Sequence, residues 1–451
     1  MNSRPKVARP KVPWSVGDKL LMILLGLVLP LTLGVFFWSR ALDRNPTISI
    51  PTPPMPATNA RDYYIAAGNA VVEGGTIGFA VGPYNPATTA SGGNQFYSPA
   101  DKAKLVAENA GAIKTLHTGF QYPYQEPPYR SFSTMFPHYQ KVRGMARLLS
   151  LQAQVDAEKG DMGGAMGASL DAIQMGEQLP HGGPLIGMLL GVACQAIGRK
   201  EAWRAADHLS AVQARAAARR LENIRAGHVP FADTLQEEEW GTQASLLELM
   251  RRRDWPGNML AVSAPDQQPG ASASTWATAT RFRLAGKRTI IANYTRDMNQ
   301  SIADARLPYA AHLAPPPAPT DPVNQILLPA FTGARLNEVK ADTQNALLLV
   351  TLALRAYKLD HGAYPPTLAA LVPGYLQAVP VDPFALSGPL RCKPTGAKYL
   401  LYSVGPDGKD DGGAAIFDRT KPAPTDMGGS DQRRYVLQDS QGDIVAGVNI
   451  S

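Results

Sequence analysis

Apolar and polar positions follow different rules in different parts of this chain. From Leu20 to Trp38 (LLMILLGLVLPLTLGVFFW) no charge occurs, and the stretch matches the roughly 20 apolar residues that a bilayer-spanning helix requires. Pro30 inside it would kink such a helix without forbidding it, because freed backbone groups are re-satisfied locally. Beyond Ala60 the apolar residues recur at helical spacing. ARDYYIAAGNAVV predicts a helix, Gly74 to Gly93 breaks into a glycine-, asparagine- and proline-rich loop, and helix returns over Pro99 to Leu116 with Ser98 as N-cap. The longest helical tract runs from Phe136 to Gly227, interrupted at Lys159 to Asp161 and at Leu179 to Pro184. Further helices are expected over Phe231 to Trp255 and Thr275 to Ala305, on either side of a Pro-, Gly-, Ser- and Ala-rich surface loop from Pro256 to Ser274.

The pattern changes again near the C-terminus. Gln325 to Leu359 reads as one long helix, with Leu347, Leu348, Val350, Thr351, Leu354 and Tyr357 on an apolar stripe. Gly362 suits the position just past its end, and Pro365 with Pro366 forbids continuation. A short helix (Thr367 to Leu371) and strands rich in Tyr and Leu complete an α+β module. Two proline-rich stretches, Asn45 to Pro56 and His312 to Pro322, read as extended spacers. The expected organisation is a basic tail (1–19), a transmembrane helix (20–38), a linker (39–59), a helical domain (60–311), a connector (312–324) and the C-terminal module (325–451). The fold class is α+β with a mainly helical middle.

Charge gives the apolar segment an orientation. Arg4, Lys6, Arg9, Lys11 and Lys19 precede it, whereas Arg40 and Arg44 follow with Asp43 between them. The positive-inside bias then places the N-terminus in the cytoplasm, the helix in the inner membrane, and the bulk of the chain in the periplasm or outside the cell. A cleaved signal peptide is the competing reading, with Ser39 and Ala41 as small residues, but the apolar run exceeds the usual 7–15 residue core of such peptides. The net charge of +7 is dispersed, with no basic stripe interleaved with aromatics, so no nucleic-acid partner is expected. The two cysteines, Cys194 and Cys392, lack C-x-x-C spacing and read as buried structural thiols unless the fold brings them within disulfide reach.

Two stretches carry resemblances. Ala153, Gly160, Ala165 and Ala172 fall where a tetratricopeptide hairpin places small residues, although an ordinary antiparallel helix pair would use them equally well. The serial order YKLDHGAYPPTLAALV, YLQAVPVDPF, YLLYSVGPDGKDDGG and GDIV resembles the C-terminal globular part of the major pseudopilin of type II secretion. That resemblance implies a long helix packed on a small antiparallel sheet and a calcium-binding loop. It covers the C-terminal module alone. Gly17 is followed by DKLLM, so Met22 stands where that family has a glutamate, and the apolar segment is not continuous with the long helix. A filament subunit is therefore not expected.

The loop also has a chemical argument of its own. Calcium takes six to eight hard oxygens on a backbone that can curl around it. Asp407, Asp410 and Asp411 supply charge, Ser403 and nearby carbonyls are neutral donors, and Gly405, Gly408, Gly412 and Gly413 permit turns. The resemblance aligns Asp407 with the family's D-G aspartate and Asp443 with the acid of the returning strand. An EF-hand does not fit, because counting from Asp407 puts Lys409 where an oxygen ligand belongs. A solvated acidic turn is the alternative, since D-G dipeptides are common turn residues.

Catalytic motifs are not evident. The seven histidines form no H-E-x-x-H pair, and no G-x-S-x-G elbow or phosphate-binding glycine loop occurs. Glu237, Glu238 and Glu239 are consecutive on a helix, so they point about 100° apart and cannot face one another across a substrate; a solvated helix face is expected. The sequence thus predicts a membrane-anchored envelope protein that scaffolds or binds an envelope protein partner, linked to a type II secretion or pilus-like apparatus. The alternative is an envelope hydrolase with its site between the helical domain and the C-terminal module.

Overall fold

The computed structural model describes residues 15–72, 98–252, 254–263, 273–312, 324, 329–417 and 436–449. The start of the basic tail, the glycine-rich loop, residues 264–272 and nearly all of the connector lie outside them. The described chain is mainly helical, with a small three-stranded antiparallel sheet near the C-terminus. In chain order the helices are α1 (Val16–Leu42), α2 (Ala60–Ala70), α3 (Pro99–Glu108), α4 (Ala110–Gly119), α5 (His138–Glu158), α6 (Met162–Gln178), α7 (Leu185–Ala206), α8 (Ala211–Ala226), α9 (Phe231–Met250), α10 (Trp255–Ser263), α11 (Ala273–Ala285), α12 (Lys287–Ala305) and α13 (Pro329–His361). The strands are β1 (Arg391–Thr395), β2 (Lys398–Ser403) and β3 (Ile444–Val445).

Local chemistry sets most helix ends. Ser98 and Asp101 form a reciprocal capping box at the start of α3, and Ser210 with Gln213 does the same for α8. Asp161 caps α6 by accepting from the Gly164 amide, just after Gly160 turns the chain at φ +82°. Gly362, at φ +78°, ends α13 as expected. Two expected helices are split. Asn109 separates α3 from α4, its buried side chain donating to the Leu105 and Val72 carbonyls. The expected Thr275–Ala305 helix breaks at Gly286, and the first residues of the expected surface loop form α10.

The chain forms two compact units: residues 1–48 with 247–293, and residues 49–246 with 294–451. In the second, α6 and α7 approach so closely that a Cβ on Gly176 or Gly191 would collide with the other's carbonyl, and one on Gly198 with the Ser169 carbonyl. Ala153, Ala165 and Ala172 are buried nearby. α13 packs against α7, α8 and β2, and its residues from Leu347 to Leu354 join Ala202, Leu221, Leu401 and Ile444 in one hydrophobic core. The expected division between residues 60–311 and 325–451 therefore runs through a shared core rather than between compact units. β2 is the central strand, pairing Cys392 with Leu401 on one side and Tyr402 with Val445 on the other. Both cysteines are free; Cys194 is buried and Cys392 half-buried.

Among the described residues no helix is long and apolar enough to cross a membrane. α1 covers the segment for which a span is expected, but Leu20, Leu21, Leu24 and Leu25 are among the residues whose side chains lie outside the described set. The apolar side chains that are described, from Leu27 to Trp38, stand exposed in consecutive positions all round the helix, Leu27 and Leu31 at 69% each.

Candidate binding groove and acidic loop

A groove of about 480 Å3 opens in the helical part of the second unit. Its floor is α6, where the run Met162-Gly163-Gly164-Ala165-Met166-Gly167-Ala168 keeps side chains small; nothing lies within 4 Å of where a Cβ on Gly167 would be. Its polar groups come from three helices. His117 of α4 approaches the Asp171 carboxylate of α6 with its Nε2 at 2.7 Å. Arg220 of α8 donates to the other Asp171 oxygen, to Gln174 Oε1 at 3.0 Å and to the Gly167 carbonyl at 3.2 Å. Phe120 and Ala168 supply apolar wall. The hydrogen bond to Asp171 raises the pKa of His117, against opposition from partial burial and Arg220. With His117 protonated, the cluster holds two cations around one carboxylate and therefore favours an anionic group on a ligand.

In the sequence His117 is one of seven histidines with no motif around it. Asp171 lies 54 residues away, and no local motif joins a pair at that separation. Only the small-residue run of α6 was visible, as a feature of helix packing.

The junction between the helices and α13 is closed by a polar network of buried and half-buried groups. His228 donates from Nδ1 to Glu177 at 2.6 Å and from Nε2 to Glu338 at 2.8 Å. Arg225 donates to Asp342 Oδ1 through Nε and Nη2, at 3.0 and 2.8 Å. Buried Arg199 donates to Asn345 Oδ1 at 3.0 Å and to Gln195 Oε1 at 3.3 Å. Burial opposes the charge on His228, but its hydrogen bonds to the two carboxylates outweigh that and push its pKa up to about 11. Burial raises Glu338, and His228 holds it back.

The Glu237–Glu239 run is not the solvated face that its sequence suggests. Glu239 is 4% exposed and accepts from the side-chain amides of Gln236 and Gln243. Glu238 accepts from Tyr129 Oη at 2.9 Å and from the Leu185 amide at 2.9 Å. Leu185 is the first residue of α7 and follows Pro184, so that carboxylate satisfies an amide left without an intrahelical partner, at the end of the helix where the dipole favours negative charge. Glu239 is thus buried and Glu237 and Glu238 half-buried, Glu238 because it supplies what the start of α7 lacks.

The acidic loop keeps its expected glycines: Gly405, Gly408, Gly412 and Gly413 have φ of +71°, +69°, +74° and +93°. Its oxygens are arranged differently from expectation. The buried Ser403 hydroxyl donates to Asp382 Oδ1 at 2.6 Å. Asp407 accepts from the Lys409 amide in its own turn. Asp443 is fully buried and accepts from the amides of Gly413 at 2.6 Å and Asp411 at 3.4 Å. Burial raises its pKa; those amides oppose the rise, and the Asp410 and Asp411 carboxylates add to it. Asp410 accepts from Tyr402 Oη and the Gly412 amide. Lys393 lies over the Tyr402 ring and donates to the Gly412 carbonyl at 3.2 Å, a positive charge beside Asp410 and Asp443.

Calcium suits this donor set in kind, because all the donors are hard oxygens. Their placement is looser than a cage. Among the described residues no group of three or more His, Cys, Asp or Glu side chains could hold a metal ion. Asp382, outside the set expected from sequence, is 1% exposed and binds Ser403, the amides of Phe384 and Val404, and Arg391 at 3.2 Å. An aspartate inside the apolar stretch AVPVDPF was the available signal, since a buried carboxylate needs several donors.

The chain matches no protein-family model, no curated protein and no solved structure.

Proposed function

We propose that this chain is a single-pass envelope protein of the inner membrane, anchored by α1 with its N-terminus in the cytoplasm, that binds a protein partner and performs no chemistry of its own. The observation that carries the binding role is the lining of the groove. Its charged groups, His117, Asp171 and Arg220, are already paired with one another, and none of the lining residues is a serine, threonine or cysteine nucleophile. The apolar wall and the net positive cluster of His117, Asp171 and Arg220 suit an extended segment that brings an apolar side chain and an acidic group. The anchor is supported by the all-round exposure of apolar side chains on α1, a pattern that fits lipid better than water. A link to a type II secretion or pilus-like apparatus rests on the motif order of the C-terminal module alone.

The test places a photo-reactive benzoylphenylalanine at position 167, in full-length protein in intact cells. One discrete adduct is expected there and none from position 212, where Val212 is 78% exposed outside the groove. His117→Ala should weaken the adduct several-fold. Labelling at 167 no stronger than at 212 would remove the binding role.

Calcium enters this proposal as a stabiliser of the acidic loop; the three carboxylates do not converge in this structure, so binding requires the glycine-rich loop to bring Asp410 and Asp411 round to Asp443 as Lys393 moves aside. Calcium should then stabilise the full-length protein by about 2.7 kcal/mol at roughly hundredfold excess over its Kd, and so raise its unfolding midpoint, where magnesium does not. An Asp443→Asn variant should not respond. Equal midpoints with calcium, magnesium and chelator would discard the ion.

A further inference from the structure

The first compact unit gathers polar chemistry at the C-terminal end of α1. The Asp43 carboxylate accepts from Trp255 Nε1 at 3.1 Å and pairs with Lys287 Nζ at 3.0 Å, while Lys287 also donates to Asn45 Oδ1 at 3.0 Å. Trp255 and Lys287 are 4% and 5% exposed. Gly286, at φ +78°, brings the α11–α12 turn against Leu42, where a Cβ would meet the Leu42 side chain at 2.8 Å. This knot fixes the start of α10 and the α11–α12 turn beside the point where α1 ends.

Depth follows from helix geometry. If the span ends near Trp38, the helical rise to Asp43 is about 7 Å. The headgroup layer on each side of a bilayer is about 5–8 Å deep. Asp43, Trp255 and Lys287 then lie at headgroup level, where Trp and Lys are common anchors. The charge there is one-sided. From Arg40 onward the described residues of this unit carry eight basic side chains against three acidic ones, with Asp43 paired to Lys287 and Glu248 to Arg252. Arg40, Arg44, Arg251, Arg283 and Arg288 are exposed close in sequence to the knot, and Leu284 is 55% exposed beside Arg283. Exposed guanidinium groups with an exposed leucine next to Arg283 suit phosphate above and acyl chain below.

We propose that this unit is a collar that binds anionic phospholipid headgroups around the exit of α1; the proposal rests on the anchor reading. The test reconstitutes full-length protein into mixed phosphatidylcholine and phosphatidylglycerol vesicles, and compares how strongly it immobilises spin-labelled lipid of each kind. Phosphatidylglycerol should be preferred about fivefold at low salt. The preference should vanish in an Arg283→Glu, Arg288→Glu variant and at high salt, with both proteins still retained after an alkaline wash. A preference that persists in the variant would belong to the basic N-terminal tail and would overturn the collar while leaving the anchor. Equal immobilisation of both lipids by wild-type protein that stays membrane-bound would do the same. Release of wild-type protein by the wash would overturn the anchor and the collar together.

Discussion

Replacing His228 by leucine should destabilise the second unit by about 3 kcal/mol, because it leaves the buried carboxylate of Glu177 and the mostly buried one of Glu338 without the cation between them. The two acids come from α6 and α13, so the loss falls on the contact that holds the long helix against the helical layer. Arg225 is already taken up by Asp342, and Arg199 by Asn345 and Gln195, so neither is free to substitute. A triple variant, His228→Leu with Glu177→Leu and Glu338→Leu, should recover much of the loss, since removing all the charges leaves none buried and unpaired. The pH dependence has a definite sign. The pKa of His228 is raised on folding from about 6.5 to about 11, so its stabilisation is complete below the unfolded value and is lost as pH rises through the folded one. The wild-type midpoint should therefore fall between about pH 7 and pH 11 more steeply than that of His228→Leu. The ring is 33% exposed, so solvent screening makes the effect smaller than the shift alone implies. Thermal unfolding across that range checks both statements; parallel pH profiles for the two proteins would show that His228 holds no charge between the acids.

Features governed by a few adjacent residues were legible in the sequence. Ser98, Gly362 and the Gly160 turn announce themselves because caps and left-handed turns depend on neighbours within one helical turn. The Ser210–Gln213 capping box carried the same signal for the start of α8, inside what reads as unbroken helix. Gly286 was harder, because an isolated glycine in a helical pattern is often tolerated and only the approach of Leu42 explains the break.

Features that depend on which surfaces meet were not legible. The apolar stripe of α13 predicts one buried face, yet Thr343, Gln344 and Asn345 are also buried, because the helix is covered from more than one side: Asn345 donates to Gln195 of α7, while Gln344 donates to the Asn449 carbonyl just after β3. Glu238 reads as a surface charge until α9 is seen beside the start of α7. In the acidic loop the glycines have the left-handed φ that turn formers need, whereas the Ser403–Asp382 hydrogen bond joins residues 21 apart and leaves no local signature in the sequence. The groove was hidden for the same reason, since His117, Asp171 and Arg220 meet only once three helices have packed.

The anchor bears on everything else proposed for this protein, and Leu27 and Leu31 offer the most direct handle on it. Both are 69% exposed, so arginine at either position displaces no packed neighbour. Both lie near the middle of the expected span, where an arginine costs about 2.5–3.5 kcal/mol of insertion free energy, or roughly 5–7 kcal/mol for the pair. The measurement is alkaline extraction of membranes from cells producing the full-length protein, wild type beside the Leu27→Arg, Leu31→Arg variant. The account predicts that wild-type protein stays in the membrane pellet while the variant moves to the supernatant with its unfolding midpoint unchanged. Wild-type protein in the supernatant, or a variant retained as firmly as wild type, would contradict it.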